Sequence, residues 1–234
     1  MIDTSLLTSI TGLALADSVN PCEMAVLLIV LVTILTKNPE NRKKVLYAGL
    51  AFVSAIFIGY LIYAFLLIQF FSFLTVKISG FSVYVYNGLA IFSMIMGALN
   101  IKDYFYYKPG SFATEMPLSF RPRVKMMIKG IASTKGAFVI GILVTLFLLP
   151  CTAGPLFVAS GLLSEIGIMK SIPWVLYYNF IFVLPMLIIV AFVYFSYKKV
   201  DEISGWKERN IKRLHLVAGI LLFLVGLSLL MGWL

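Results

Sequence analysis

The sequence predicts an all-α integral membrane protein with six transmembrane helices, built as a 3+3 inverted repeat with both termini outside the cytoplasm. Three observations lead to this fold class: the composition, the length of the apolar runs and the placement of the basic residues. Of 234 residues, 61% are hydrophobic and 12% are charged, whereas soluble proteins carry about 25% charged residues. Together with a mean hydropathy of +1.01, these values exclude a soluble enzyme, a disordered chain and a disulfide-stapled secreted domain.

Six apolar runs are each long enough to cross the roughly 30 Å hydrocarbon core as a helix that rises about 1.5 Å per residue. None of them alternates apolar and polar residues as a β-barrel strand does. The predicted spans cover about residues 4–36, 45–70, 83–101, 136–164, 172–197 and 211–234.

The basic residues are distributed unevenly between the two ends of these spans. Seventeen of the 19 Lys and Arg residues fall in the connections after the first, third and fifth spans, and only Lys77 and Lys170 fall elsewhere. Because loops rich in Lys and Arg stay in the cytoplasm, these three connections are predicted to be cytoplasmic. The net charge of +9 therefore sets the orientation in a lipid bilayer and requires no nucleic acid partner. The expected location is a prokaryotic plasma membrane.

Two Pro-Cys pairs divide the chain into two similar halves. Pro150-Cys151 follows Pro21-Cys22 by 129 residues, and the same offset carries the second predicted span onto the fifth and the third onto the sixth. Since each half holds three spans, the two halves cross the membrane in opposite directions, as in many transporters with a site near the bilayer midplane. The predicted units are a first repeat of residues 1–108, a cytoplasmic connecting loop of 109–135 and a second repeat of 136–234.

The first predicted span is too long for one straight crossing, because its 33 residues would reach about 50 Å as a single helix. Asn20-Pro21-Cys22 predicts the position of a break. Asn is a favoured N-cap and Pro a favoured first helical residue, so Cys22 falls at the second position of a new helix. The positive end of a helix favours the thiolate form of cysteine, which is the form that attacks disulfides.

The two cysteines are predicted to lie at equal depth. Cys22 is 15 residues from Lys37 and Cys151 is 16 residues from Lys135, so both lie about 22 to 24 Å along a helix from the cytoplasmic charges. A lone Pro-Cys pair is usually only a kink beside a small apolar side chain. Two such pairs at equal depth, in a chain that has two cysteines, favour a shared chemical role.

The motifs resemble those of the CcdA family, which is related to the central membrane domain of the DsbD thiol reductases. The resemblance rests on Asn20-Pro21-Cys22, Pro150-Cys151, and Asn179 with Phe182-Val183-Leu184-Pro185. It implies a thiol-disulfide oxidoreductase that acts as a transmembrane electron transporter, in which Cys22 and Cys151 alternate between dithiol and disulfide. It further implies transfer from cytoplasmic thioredoxin to extracytoplasmic thioredoxin-like proteins, in support of cytochrome c maturation. Such exchange needs no metal, flavin or other cofactor.

Prolines and a glycine beside the cysteines are candidate hinges. We expect the half-helices after Pro21 and Pro150 to move relative to the other spans, with these prolines, Gly154 and Pro155 allowing the motion. Pro150-Cys151 lacks the polar N-cap of the first pair, so the two cysteines are not expected to be equivalent.

Other polar residues in the apolar runs have less definite roles. Glu23, next to Cys22, either exchanges the proton that thiol chemistry moves or only faces a wet cavity. Asp17 is expected nearer the outer interface, and His215 at the level of the lipid headgroups.

Three alternative functions remain open at this point. Two thiolates at the midplane could bind a soft metal ion such as Cu(I) and so form a metal transporter, although the chain has no Met-x-x-Met, Cys-x-x-Cys or His-rich tract. A purely structural subunit would leave the repeated Pro-Cys pairs unexplained. A quinone-coupled thiol oxidase would normally use a Cys-x-x-Cys pair, which this sequence lacks.

Overall fold

The computed structural model describes residues 4–19, 21–37, 41–77, 81–107, 122, 126, 133–195 and 200–231, and no strand lies among them. The predicted all-α class is therefore confirmed for the described chain. Most of the predicted connecting loop, residues 109–135, falls outside these ranges. The helices are α1 (Thr4–Ser18), α2 (Pro21–Lys37), α3 (Arg42–Lys77), α4 (Phe81–Phe105), α5 (Thr134–Ser164), α6 (Ile168–Phe195) and α7 (Val200–Leu230).

Three of these helices are long and apolar enough to cross a membrane. The stretches concerned are Lys43–Leu74 in α3, Ile168–Phe195 in α6 and Arg209–Leu230 in α7. Many large apolar side chains point away from the protein, among them Leu66 and Phe195, which are 61% and 76% exposed. Exposed apolar surface on this scale is typical of a membrane environment.

The predicted break in the first span is confirmed. α1 ends at Ser18 and α2 begins at Pro21, as expected for a proline at the first position of a helix. The second Pro-Cys pair behaves differently, because α5 continues without interruption through Pro150 and Pro155. A membrane helix tolerates an internal proline when neighbouring groups satisfy the carbonyl that it leaves free.

Polar residues at the helix ends fix several boundaries. Asn41 precedes α3, and its Oδ1 accepts a hydrogen bond of 3.1 Å from the Lys44 backbone N–H. Ser133 caps α5 in the same way by accepting from the Gly136 N–H. Gly167 joins α5 to α6 with a positive φ of 82°, a conformation that glycine adopts without strain. Asn41 and Ser133 therefore mark the starts of α3 and α5, and Gly167 marks the turn between α5 and α6.

α7 extends beyond the membrane span that the sequence predicts. The predicted span starts at residue 211, close to the apolar stretch that starts at Arg209, whereas the helix starts at Val200. The additional segment contains Glu, Lys and Arg residues, which are good helix formers in water as well as in proteins. The apolar pattern thus marks the membrane segment, and the helix extends beyond it.

α4 and α7 run antiparallel with their backbones in close contact. A Cβ atom built on Gly97 would lie 2.7 Å from the backbone N of Phe223 and 2.8 Å from the carbonyl O of Gly219. A Cβ atom on Gly226 would lie 2.8 Å from the carbonyl O of Ala90. Between these two points the Ser93 hydroxyl donates a 2.7 Å hydrogen bond to the carbonyl O of Leu222. Small residues therefore allow the two helices to pack backbone against backbone.

α3 forms a second close pair with α5. A Cβ atom on Gly141 would meet the Ala55 Cβ at 2.6 Å and the Phe52 carbonyl O at 2.9 Å. On another face of α3, Tyr60 stacks on Phe182 of α6 with ring centroids 4.4 Å apart. The buried apolar side chains of the described residues form one continuous cluster, to which all seven helices contribute.

Candidate functional site

The predicted cysteine site lies at the break between α1 and α2 and inside α5. Pro21, Cys22 and Glu23 form the first turn of α2, and Cys151 lies within α5. Asn20 falls outside the described residues, as do the side chains of residues 21–23 and 147–153. The predicted pairing of the two cysteines, and the roles of Asn20, Glu23 and Pro150, therefore stay predictions.

The prediction that the two cysteines lie at equal depth requires continuous helices between each cysteine and its basic residue, and these helices are present. α2 is continuous from Cys22 to Lys37, and α5 is continuous from Lys135 to Cys151. At about 1.5 Å per residue, the two cysteines lie about 22 and 24 Å along their helices from the basic residues. α2 and α5 also contact each other. Both cysteines thus belong to adjacent helices at equal distances from their charged ends.

The candidate hinge beside Cys151 is tightly surrounded. Gly154 and Pro155 are both buried. The atoms nearest to a Cβ built on Gly154, among the described residues, belong to the Met96 side chain, at 3.4 Å. This neighbour is a flexible side chain and not a backbone. The helix at Gly154 can therefore shift more easily than the helices can at the glycines between α4 and α7.

Asp17 forms a buried polar contact beside the break. Its side chain is 1% exposed, and Oδ2 accepts a 2.8 Å hydrogen bond from the Tyr178 hydroxyl of α6. Oδ1 has no hydrogen-bond partner among the described residues. Asp17 is thus buried between packed helices, while its expected depth nearer the outer interface stays a prediction. Asp17 is in the last turn of α1, and Cys22 is in the first turn of α2.

Asn179, part of the sequence resemblance, is fully buried in α6. Neither Oδ1 nor Nδ2 of its amide has a hydrogen-bond partner in the described part of the chain. Buried amides are nearly always hydrogen-bonded to protein or to ordered water. Six residues further on, Pro185 lies inside the helix and leaves the carbonyl of Ile181 without its helical hydrogen bond. This stretch of α6 therefore offers polar groups to the protein interior.

A second polar pair joins α4 to α7. Asn100 and His215 are 8% and 1% exposed, and Asn100 Oδ1 lies 3.0 Å from His215 Nδ1. Asn100 Nδ2 donates to the Met96 carbonyl at 2.9 Å, which fixes the amide so that its oxygen faces the imidazole. Because an amide oxygen can only accept, Nδ1 of His215 carries the hydrogen. The side chain that was expected at headgroup level is a buried link between two helices.

We expect His215→Leu to destabilise the protein by about 1–3 kcal/mol, because it leaves Asn100 Oδ1 buried without its donor. Adding Asn100→Leu should recover part of that loss, since the unpaired Asn100 Oδ1 is then removed. Reversible unfolding of the four proteins in detergent measures the coupling between the two residues. Arg213→Leu, an exposed change on the same helix, is the control and should alter stability by about 0.5 kcal/mol or less. Additive effects of the two changes would contradict the link.

Sequence reasoning placed the cysteines on their helices but missed these two polar contacts. Asp17 and Tyr178 are 161 positions apart, and Asn100 and His215 are 115 apart. The available signal was the presence of Asp17, Asn100 and His215 inside or at the edge of apolar runs, where polar residues usually have partners. A single sequence does not identify those partners.

Among the described residues, no group of three or more His, Cys, Asp or Glu side chains is arranged to hold a metal ion. A scan of protein-family models, a search of curated proteins and a search of solved structures each found no match to this chain.

Proposed function

We propose that this protein is a six-span membrane thiol-disulfide oxidoreductase that carries reducing equivalents from cytoplasmic thioredoxin to thioredoxin-like proteins on the other side. The observation that carries the proposal is the position of Cys22 in the first turn of α2, which begins at Pro21 after α1 ends at Ser18. A helix N-terminus favours a thiolate and so activates the cysteine for exchange. The repeated Pro-Cys pair in α5 supplies the second thiol.

The contacts between α4 and α7 support an inverted repeat. The pairs related by the 129-residue offset are Gly97 with Gly226, Ala90 with Gly219, Met94 with Phe223, and Ser93 with Leu222. Gly97 approaches the backbone of residues 219 and 223, and Gly226 approaches that of residues 90 and 94. Each close contact therefore has a counterpart in which the two halves are exchanged. Ser93 and Leu222 hold the same position in the two halves and bond to each other, as expected for residues beside a two-fold axis.

The antiparallel course of α4 and α7 supports the same topology. Two equivalent helices that run in opposite directions belong to halves that are inverted with respect to each other. Together with the cytoplasmic location predicted for the Lys- and Arg-rich connections, an inverted repeat would have both termini outside. It would hold the two cysteines at similar depths in a plasma membrane of the prokaryotic type.

The proposed chemistry needs no group beyond the two thiols and their partners. A thioredoxin thiolate attacks one sulfur of the Cys22–Cys151 disulfide, so that a mixed disulfide forms and the other cysteine leaves with the electron pair as a thiolate. The second thioredoxin thiol then resolves the mixed disulfide, and oxidised thioredoxin departs. The dithiol reduces a disulfide on the opposite side by the reverse sequence, and the membrane pair returns to the disulfide.

Thiol labelling of the purified protein tests this proposal. After mild oxidation, a maleimide reagent that adds mass should label neither cysteine, and after treatment with reduced thioredoxin it should label both. The number of labelled thiols is read from the gel shift of the denatured chain. A thioredoxin variant that lacks its two active cysteines is the control and should leave the protein unlabelled.

Two free thiols after oxidation would contradict the proposal. If Cu(I) then protected both from labelling, the cysteines would be a soft-metal site. If nothing protected them, they would be ordinary packing residues.

A further inference from the structure

Asp17 is a buried acid for which the proposed disulfide exchange assigns no role so far. One oxygen accepts a hydrogen bond from Tyr178, and the other has no partner among the described residues. In that part of the chain no Lys, Arg or His pairs with it. An ionised carboxylate in an apolar interior is costly unless it is paired with a positive charge or coordinates a metal. A bound proton removes this cost.

The hydrogen bond to Tyr178 occupies one of the two carboxyl oxygens. Oδ2 lies 2.8 Å from the tyrosine hydroxyl, whereas Oδ1 has no hydrogen-bond partner among the described residues. Asp17 therefore has one buried carboxyl oxygen available for proton exchange, in the last turn of the helix before the break.

The two helix ends at the break act on Asp17 and Cys22 in opposite ways. Asp17 is in the last turn of α1, where the helix dipole disfavours negative charge, and Cys22 is in the first turn of α2, where it favours negative charge. In free solution a carboxyl is a far stronger acid than a thiol, with pKa values of about 3.9 and 8.5. General acid–base exchange of a proton between a carboxyl and a thiol requires the two groups to come within hydrogen-bond reach during the reaction.

We propose that Asp17 exchanges a proton with Cys22 in each redox half-cycle, an inference that rests on the proposed thiol-disulfide function. When thioredoxin opens the disulfide by attack on Cys151, Cys22 leaves as a thiolate with the electron pair of the broken S–S bond. It takes the proton from Asp17, which becomes a carboxylate. When the Cys22 thiol later attacks an external disulfide, its proton returns to Asp17 and its sulfur forms the new S–S bond. The proton is thus on Asp17 in the disulfide state and on Cys22 in the dithiol state.

Three other polar residues, Glu23, Tyr178 and Asn179, bear on which group holds the proton. Glu23 follows Cys22 directly on α2 and is the other carboxyl that could hold the proton. Tyr178 is the titratable side chain that contacts Asp17 from α6. Asn179, the next residue, has a buried amide without a described partner, which is typical of a side chain that binds internal water. Water at this position would connect the acid to the rest of the interior.

Infrared difference spectroscopy of the full chain in lipid nanodiscs tests the inference. The spectrum of the reduced protein minus that of the oxidised protein should contain a positive S–H stretching band and a negative C=O stretching band of a carboxylic acid. The carbonyl band should be lost in Asp17→Asn and kept in Asp103→Asn, which changes another Asp with 1% exposure. In Tyr178→Phe the band should move to higher frequency, because the carbonyl loses its hydrogen-bond donor. The Tyr178→Phe measurement tests the inference even if the Asp17→Asn variant does not fold.

The outcomes separate this inference from the proposed function. If the S–H band appears and no carboxyl band changes, or if Glu23→Gln removes the carboxyl band, Asp17 is not the proton carrier although the redox function stands. If no S–H band appears after treatment with reduced thioredoxin, the cysteines do not cycle and both proposals fail. A merely structural Asp17 would give no carboxyl band that depends on the redox state.

Discussion

Neither Cys22→Ser nor Cys151→Ser should transfer electrons across the membrane, although both variants should fold. A serine hydroxyl is close in size to a thiol, but it cannot form the disulfide through which two electrons pass. Activity should fall to that of liposomes without protein. Proteoliposomes with reduced thioredoxin inside and an oxidised thioredoxin-like protein outside measure it, with the redox state of the outer protein read by gel shift.

The two variants should differ in the intermediate that they accumulate. Cys22→Ser retains Cys151 alone and should form a mixed disulfide through that residue, which has no membrane partner to complete the cycle. Thr33→Ser, a conservative change in the same α2 helix, is the matched control and should transfer at the rate of the unchanged protein. Full transfer by Cys22→Ser would show that the two cysteines do not form a relay.

Gly97→Ala should be the most damaging methyl addition in the described part of α4. Its new Cβ would lie 2.7 Å from Phe223 N and 2.8 Å from Gly219 O, and backbone atoms cannot move aside as a side chain does. Overpacking typically costs about 1–3 kcal/mol, and we expect about 3 kcal/mol because α4 and α7 must separate. The midpoint of unfolding by sodium dodecyl sulfate, together with retention of the helical circular dichroism signal, measures the effect.

Gly88→Ala is the matched control on the same helix. Nothing lies within 4 Å of a Cβ built at Gly88, so the added methyl meets no neighbour and only the higher helix propensity of alanine remains. That propensity stabilises the helix by about 1 kcal/mol. The two substitutions should therefore change stability in opposite directions. Equal effects would mean that the α4–α7 contact is looser than the geometry indicates.

The sequence predicts features whose cause is local more successfully than features that depend on distant pairs. The break before Pro21 is correct because a favoured N-cap and a favoured first helical residue are adjacent in the chain. The last predicted span, which starts at residue 211, agrees with the apolar stretch Arg209–Leu230. The helix itself begins at Val200, because Glu, Lys and Arg residues also form helix in water. Helix propensity therefore predicts where the helix begins, whereas hydropathy predicts which part of it lies in the membrane.

Pro150 shows the limit of reasoning from a repeated motif. The Pro-Cys pair predicts a second half-helix, yet α5 runs from Thr134 to Ser164 without a break. The two copies differ in the residue before proline: Asn20 is a favoured N-cap, and Leu149 is not. A proline without a capping residue removes a backbone hydrogen bond but supplies no group to begin a new helix. Likewise, the burial of Asp17 depends on Tyr178, far along the chain, and no local signal predicts it.

The glycine contacts between α4 and α7 limit where movement can occur. Two helices whose backbones touch at Gly97, Gly219 and Gly226 cannot slide or rotate by a turn without bringing larger residues into the same contact. This pair therefore forms a fixed axis in the described part of the protein. Gly154, by contrast, faces a flexible methionine, and α1 ends at Ser18 before α2 begins at Pro21. A motion that exposed the cysteines first to one side and then to the other would take place around this axis, in α1, α2 and α5.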